Sequence, residues 1–293
     1  MSQTTTIELG STALKCLYAG YSTYLAMQPN LQKKCFDLGS TVDALLCQSG
    51  DVFDRIFIRP QLDSNGKEFA RSNEGKTVLQ HNRNLGKACI SQDEFQQAEA
   101  IANAVQSHPI ASMFFDKANA NLAYQVELKS ATTLGNRQSV TLRALPDVVL
   151  KNSVGQVIAW VDLKTTSRNT HADFIRQFGE LNYDIQAALY TQVMTDCGVT
   201  RFATKGKLFD LFDYPVLYIG VATTAPYSVF VTELSEEVIN TGLNKISKAL
   251  DNLSDGLSKQ AAGQYVGYCE IVKIGGVDSK KTVQAINTAG DLF

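Results

Sequence analysis

Along the first part of the chain, apolar residues recur every third or fourth position, the spacing of one face of a helix. Residues from about 11 to 27, "STALKCLYAGYSTYLAM", show it after a Ser/Thr start, and residues 37 to 49, "DLGSTVDALLCQS", predict a second, more buried helix. Residues 60 to 88 break the pattern. They are polar and rich in Asn, Gly and Lys, which predicts a long loop or a mobile excursion. Helical spacing returns at Ser91, where Ser91 and Glu94 fit a capping box, Phe95, Ala98, Ala102 and Val105 share one stripe, and Pro109 marks the end.

The middle of the chain changes to strand signals. "AYQVELKSA", "SVTLRALPDVVL" and "QVIAWVDLKTT" are separated by the turn-like "TTLGNRQ" and "KNSVG", which predicts an antiparallel meander. "DFIRQFGELNYDIQAALYTQVMTDC" goes back to helical spacing, and "PVLYIGVAT" with "SVFVTEL" predicts a further hairpin. From Ser235 a long amphipathic helix runs through Ile239, Leu243, Ile246, Leu250, Leu253 and Leu257. Helices around a central mixed sheet give an α/β or α+β class. No repeat or linker divides the 293 residues, so a single domain is expected, with a core over about 10–235 and a C-terminal helix and tail, 236–293, without an assigned role.

Composition narrows the function. Apolar residues make up 44% and charged residues 19%, and no apolar run approaches the roughly 20 residues that cross a bilayer. The N-terminus lacks the basic and apolar regions of a secretory signal, so a cytoplasmic protein with no membrane partner is expected. Six cysteines lie scattered, with no C-x-x-C pair and no clustering with histidine, which argues against zinc or an iron-sulfur cluster. His81, His108 and His171 show no ligand spacing. The net charge of -2 is no sign of a nucleic-acid binder, though positive charge gathered in a channel is compatible with an acidic exterior.

Chemistry concentrates in "VDLKTT". On a strand, Asp162 and Lys164 share one face while Val161 and Leu163 share the other. Alone, such a pair also fits an ordinary solvated edge. Asp147, however, lies on the preceding strand of the predicted hairpin, and pairing would set the two carboxylates side by side. Like charges so opposed invite a divalent cation, and Mg²⁺ takes oxygen ligands from one or two carboxylates with waters and a phosphate. A lysine beside that cation is placed to orient an attacking water toward phosphorus, an arrangement that hydrolyses phosphodiesters.

The order Pro146-Asp147, then Asp162-Leu163-Lys164, resembles the PD-(D/E)xK nuclease superfamily. "YDIQAALY" places Gln186 and Tyr190 on one helical face like the Q-x-x-x-Y signature of its exonucleases. "LGSTVDALLCQSGDVFDRIFI" resembles the G-[ST]-x-x-H-x-L-L segment of RecE-like (exonuclease VIII type) phage and prophage nucleases. "STALKCLYAGYSTY" is similar to their N-terminal S-x-L helix, and "QVELKS" to their glutamate-bearing strand. These pieces keep the family's order across roughly residues 10 to 235. One position departs: Asp43 stands where those relatives carry a histidine metal ligand.

The resemblance implies a restriction-endonuclease-like PD-(D/E)xK core. It implies that Asp147, Asp162 and the main-chain carbonyl of Leu163 bind Mg²⁺, or Mn²⁺ in its place, with Asp43 and Glu127 completing the site. Lys164 would be the catalytic lysine, and Gln186 and Tyr190 would support the catalytic strand or contact DNA. It further implies an exonuclease acting from 5′ ends of double-stranded DNA, a single-strand annealing protein as partner, and a ring-shaped homo-oligomer. Two alternatives stay open: an endonuclease built on the same core, and a degenerate nuclease fold retained for DNA binding. Thr165, Thr166 and Arg168 are candidate phosphate contacts.

Overall fold

The computed structural model describes residues 7–27, 34–47, 50–151, 155, 157–198 and 216–264. The C-terminal residues from 265 onward, and most of the segment "KNSVG" for which a turn is expected, lie outside the described residues. In chain order the elements are β1 (Ile7–Leu9), α1 (Ser11–Ala19), α2 (Tyr21–Leu25), α3 (Lys34–Cys47), β2 (Ile56–Ile58), α4 (Asn73–Asn84), β3 (Ala88–Ile90), α5 (Gln92–Ser107), β4 (Leu122–Tyr124), β5 (Leu128–Thr133) and β6 (Ser139–Ala144). There follow β7 (Val148–Lys151), β8 (Val157–Thr166), α6 (His171–Glu180), α7 (Tyr183–Asp196), β9 (Val216–Ala222), β10 (Val229–Glu233) and α8 (Glu236–Ala261).

The main sheet has the order β10-β9-β8-β7-β4. It is mixed: β8 pairs parallel with β9 and antiparallel with β7. Along β8 the alternation of side chains serves two layers. Trp160 joins the core formed with α1, α7 and α8, where Leu14, Leu189 and Leu253 are buried. Val161 and Leu163 join the core formed with α3 and α5, where Val42, Leu46 and Ile101 are buried. Helices therefore cover both faces of a mixed sheet, and the expected class holds.

The expected meander is bent across two sheets. Pro146 has no N–H for a ladder, and Gln125 takes a positive φ of 50°, so both long strands break at the same level. Beyond the break β5 and β6 pair in a second sheet of order β1-β6-β5, while β4 and β7 stay in the main sheet.

The polar segment 60–88 is a correction. In place of a long loop it contains α4, whose cap Ser72 accepts a hydrogen bond from the Gly75 N–H at 3.0 Å, and it leads into β3, which pairs parallel with β2. Its apolar contribution is small but buried: Phe69, Leu79 and Cys89 form a separate cluster. Solvated residues around that stripe hide the helical period. The predicted helix over 173–197 is in turn broken by Asn182, at φ 48°, into α6 and α7. No helix among the described residues is long and apolar enough to cross a membrane.

Candidate active site

The register that sets Val148 across from Val161 carries on to bring Asp147 beside Asp162. Asp147 accepts a hydrogen bond from the Leu163 N–H at 2.7 Å, which ties it to the neighbouring strand. Asp162 is 1% exposed and ion-paired with Lys164. Behind it the Gln186 amide donates to Asp162 Oδ1 at 3.0 Å and to the Tyr190 hydroxyl at 2.8 Å, and Tyr190 donates to the Leu145 carbonyl at 3.0 Å. This chain of bonds from α7 links the strand bearing Asp162 to the residues just before Asp147. Both Gln186 and Tyr190 are buried, a supporting geometry.

In front lies a cavity of about 590 Å³, lined by Asp43, Asp147, Leu163, Lys164 and Gln186 among others. Asp43 comes from α3, which approaches β8 so closely that a side chain at Gly39 would stand 3.0 Å from Thr165 Oγ1. Arg55 donates to Asp43 Oδ2 at 2.9 Å, and the Gln125 amide donates to the same oxygen. The other oxygen, Oδ1, is buried without a hydrogen-bond partner.

The structure does not bring Glu127 to this cavity. Glu127 is bound by Arg143 and stands 3.5 Å from Lys129 in the second sheet, and Gln125 is the residue of that segment that reaches Asp43. The break at Gln125 explains the difference, because it turns the residues after it out of the main sheet. Thr165 lines the cavity. Thr166 is buried against Gln177, and Arg168 pairs with Glu180 at 3.1 Å, so neither hydroxyl nor guanidinium is free toward the cavity. Three contributors were not singled out from sequence: Lys15, Arg55 and Tyr183. Lys15 had a signal, since Ser11 and Lys15 lie one helical turn apart in the segment "STALK".

The electrostatics follow from burying several charges together. Burial, then the Asp162 and Asp43 carboxylates, lifts Asp147 well above the ordinary carboxylate range, against Lys164 and the Leu163 N–H. Burial also raises Asp162, opposed by Lys164. For Lys164 burial acts downward but is outweighed by Asp162 and Asp147, so its ammonium is held above the usual lysine value.

Among the described residues no three His, Cys, Asp or Glu side chains converge closely enough to form a ready cation site. The pairings give the reason: Arg55 and Gln125 hold Asp43, Lys164 holds Asp162, and a backbone N–H holds Asp147. The donor set is nevertheless all oxygen and anionic, and Asp43 Oδ1 is left without a partner. Both features fit a hard divalent cation.

Two acids side by side, one just before β7 and one on the antiparallel β8, a lysine after the second, and a glutamine and tyrosine behind them define a PD-(D/E)xK core, the fold of a class of nucleases. The chain belongs to the family described as PDDEXK-like domain of unknown function (DUF3799), whose model matches residues 22–274. A comparison with curated proteins gave no match. Among solved structures, the chain is similar to the crystal structure of a "Putative exonuclease" from Eubacterium rectale. The identity is 13% and the TM-score 0.47, over 84% of this chain and 82% of that one.

Proposed function

We propose that this chain is a metal-dependent deoxyribonuclease, and more narrowly an exonuclease that digests one strand of linear duplex DNA from its 5′ end. The 3′ overhang would pass to a single-strand annealing protein. The observation that carries the reading is the pairing of Asp147 with Asp162 beside Lys164, at the wall of a cavity of about 590 Å³ that Asp43 also lines. The sequence resemblance supports the narrower terms: 5′ polarity, the annealing partner, a ring-shaped homo-oligomer and a cytoplasmic location. A ring also reconciles a net charge of -2 with a polyanionic substrate, since only its channel need be positive. One nuclease domain, α8 included, is part of the same reading, supported by the burial of Ile246 and Leu253 in the core shared with α7.

Asp43, Asp147, Asp162 and the Leu163 carbonyl would hold Mg²⁺, with Mn²⁺ able to replace it. When bound, the cation supplies Lewis acidity toward a phosphate oxygen and the attacking water. Lys164, paired with Asp162 at the cavity wall, would donate hydrogen bonds that orient the attacking water. Gln186 and Tyr190 position Asp162 from behind.

The test is digestion of linear duplex DNA with a 5′ phosphate beside its closed-circular form, with Mg²⁺ or EDTA, using Asp162→Ala as control. Mononucleotides released from the linear form alone, and lost with EDTA and in the variant, are the expected result. End-labelling then reports polarity. Cutting of circles replaces the exonuclease with an endonuclease, and absence of metal-dependent cutting rejects the enzyme in favour of a binding module.

A further inference from the structure

The cavity has a second lining that the mechanism above does not use. Ser11, Thr12 and Lys15 reach it from the first turns of α1. Lys15 Nζ stands 4.6 Å from the centre of the Tyr183 ring, and Lys164 Nζ stands 5.4 Å from the same ring. Two ammonium groups thus share one aromatic ring. They differ in their counter-charges. Lys164 has Asp162, whereas among the described residues Lys15 has no carboxylate at ion-pair distance. The two acids whose fields reach it are engaged elsewhere, Asp162 by Lys164 and Asp184 by Lys245 at 2.7 Å.

A partly buried cation without an anion is a cost to the folded protein unless a ligand supplies the anion. The titration of Lys15 agrees: burial first, then Lys164, lower it to about 8, against Asp162 and Asp184. Tyr183 covers one side of the ammonium but cannot neutralise it, and the remaining direction is the cavity in which a DNA strand would lie.

Resting on the nuclease reading, we infer that Lys15 is a substrate-holding residue of this site. Its ammonium binds a backbone phosphate adjoining the one that is cleaved, while Lys164 and the carboxylates serve the scissile phosphate. Ser11, on the same helical face, and Thr12 add hydroxyl donors to that phosphate position. Lys15 therefore contributes to strand binding and register, not to the chemical step.

The experiment compares the full chain with Lys15→Met, which keeps the apolar stem, and Lys15→Arg, which keeps the charge. With Mg²⁺ and 5′-phosphorylated linear duplex DNA, Lys15→Met is expected to raise KM about 5- to 30-fold, the loss of one charge-assisted contact, with kcat within about threefold. In an Asp162→Ala background, where DNA is bound but not cut, the slope of log affinity against log salt should fall by about 0.7 to 0.9. Lys15→Arg should restore both, and without DNA Lys15→Met should melt no lower than the parent, since it removes a buried charge that costs stability. An active parent whose Met variant keeps the same KM and salt slope overturns this inference alone. Melting and activity that fall together without rescue by Arg also overturn it, by making Lys15 a packing residue. A parent that neither binds nor cuts DNA overturns the nuclease reading beneath it.

Discussion

The same tripeptide pattern occurs twice in this chain, as Glu127-Leu128-Lys129 and as Asp162-Leu163-Lys164, and the two copies behave in opposite ways. Glu127 sits among Arg143, Lys129 and Glu8 across the face of the three-stranded sheet, where those side chains are 38 to 44% exposed. Arg143 holds the Glu127 carboxyl below its ordinary range. The Asp162 side chain is 2% exposed, and burial raises its pKa despite the lysine. Water screens the first cluster, and its ion pairs are worth little. In the second, sheet and helices exclude water, so each charge depends on its few partners. An acid and a lysine two residues apart become a site when the tertiary structure removes solvent and adds a second acid.

That contrast is most sharply tested by removing each acid in turn. Asp162→Ala should lower the rate of DNA hydrolysis by about a thousandfold or more with the fold retained, whereas Glu127→Ala should leave it within about twofold. Circular dichroism and initial rates check both, and a comparable loss from Glu127→Ala would remove the distinction. A smaller effect is expected from the support behind Asp162. Tyr190→Phe strands the Leu145 carbonyl and frees the Gln186 amide, and should cost about 10- to 100-fold in rate. An unchanged rate with a lowered melting temperature would make Tyr190 purely structural.

Gly242 tests whether α8 is part of the same folded unit. A Cβ there would stand 2.1 Å from the Asp184 carbonyl on α7, so Gly242→Val should destabilise the chain by about 1–3 kcal/mol in a single unfolding transition. A separate early transition would show that α8 folds on its own. The smallest effect concerns pH. Burial raises Asp37 above its ordinary 3.8, against Arg83, so the folded state holds that proton to higher pH than the unfolded chain does. Stability from this group is present at low pH and lost as pH rises from that ordinary value through the folded one. Asp37→Asn should remove this fall, so denaturant midpoints of parent and variant should separate with rising pH, and parallel curves would contradict it.

Much of the architecture was legible because it depends on local pattern. The capping box at Ser91 forms as read, since Ser91 and Glu94 satisfy each other's backbone groups without distant help. The hairpin of β9 and β10 is read equally well from its apolar runs. The α4 helix was missed because its buried stripe is only a few residues in a polar segment, too few to mark a period. The bend at Gln125 and Pro146 was missed for a different reason. Proline warns of an interrupted ladder, but the second sheet that β5 and β6 then form is completed by β1, far earlier in the chain.

For the candidate site the division is similar. Sequence by itself determined the alternation that places Asp162 and Lys164 on one face, the hairpin order that puts Asp147 before them, and the helical spacing of Gln186 and Tyr190. These are consequences of covalent geometry and short-range periodicity. Tertiary structure alone decided that Asp43 is held by Arg55 and Gln125, that Glu127 faces solvent, and that Lys15 shares the Tyr183 ring with Lys164. Each of those outcomes depends on which distant elements exclude water from a charge, and desolvation is a property of the packed whole that no local spacing encodes.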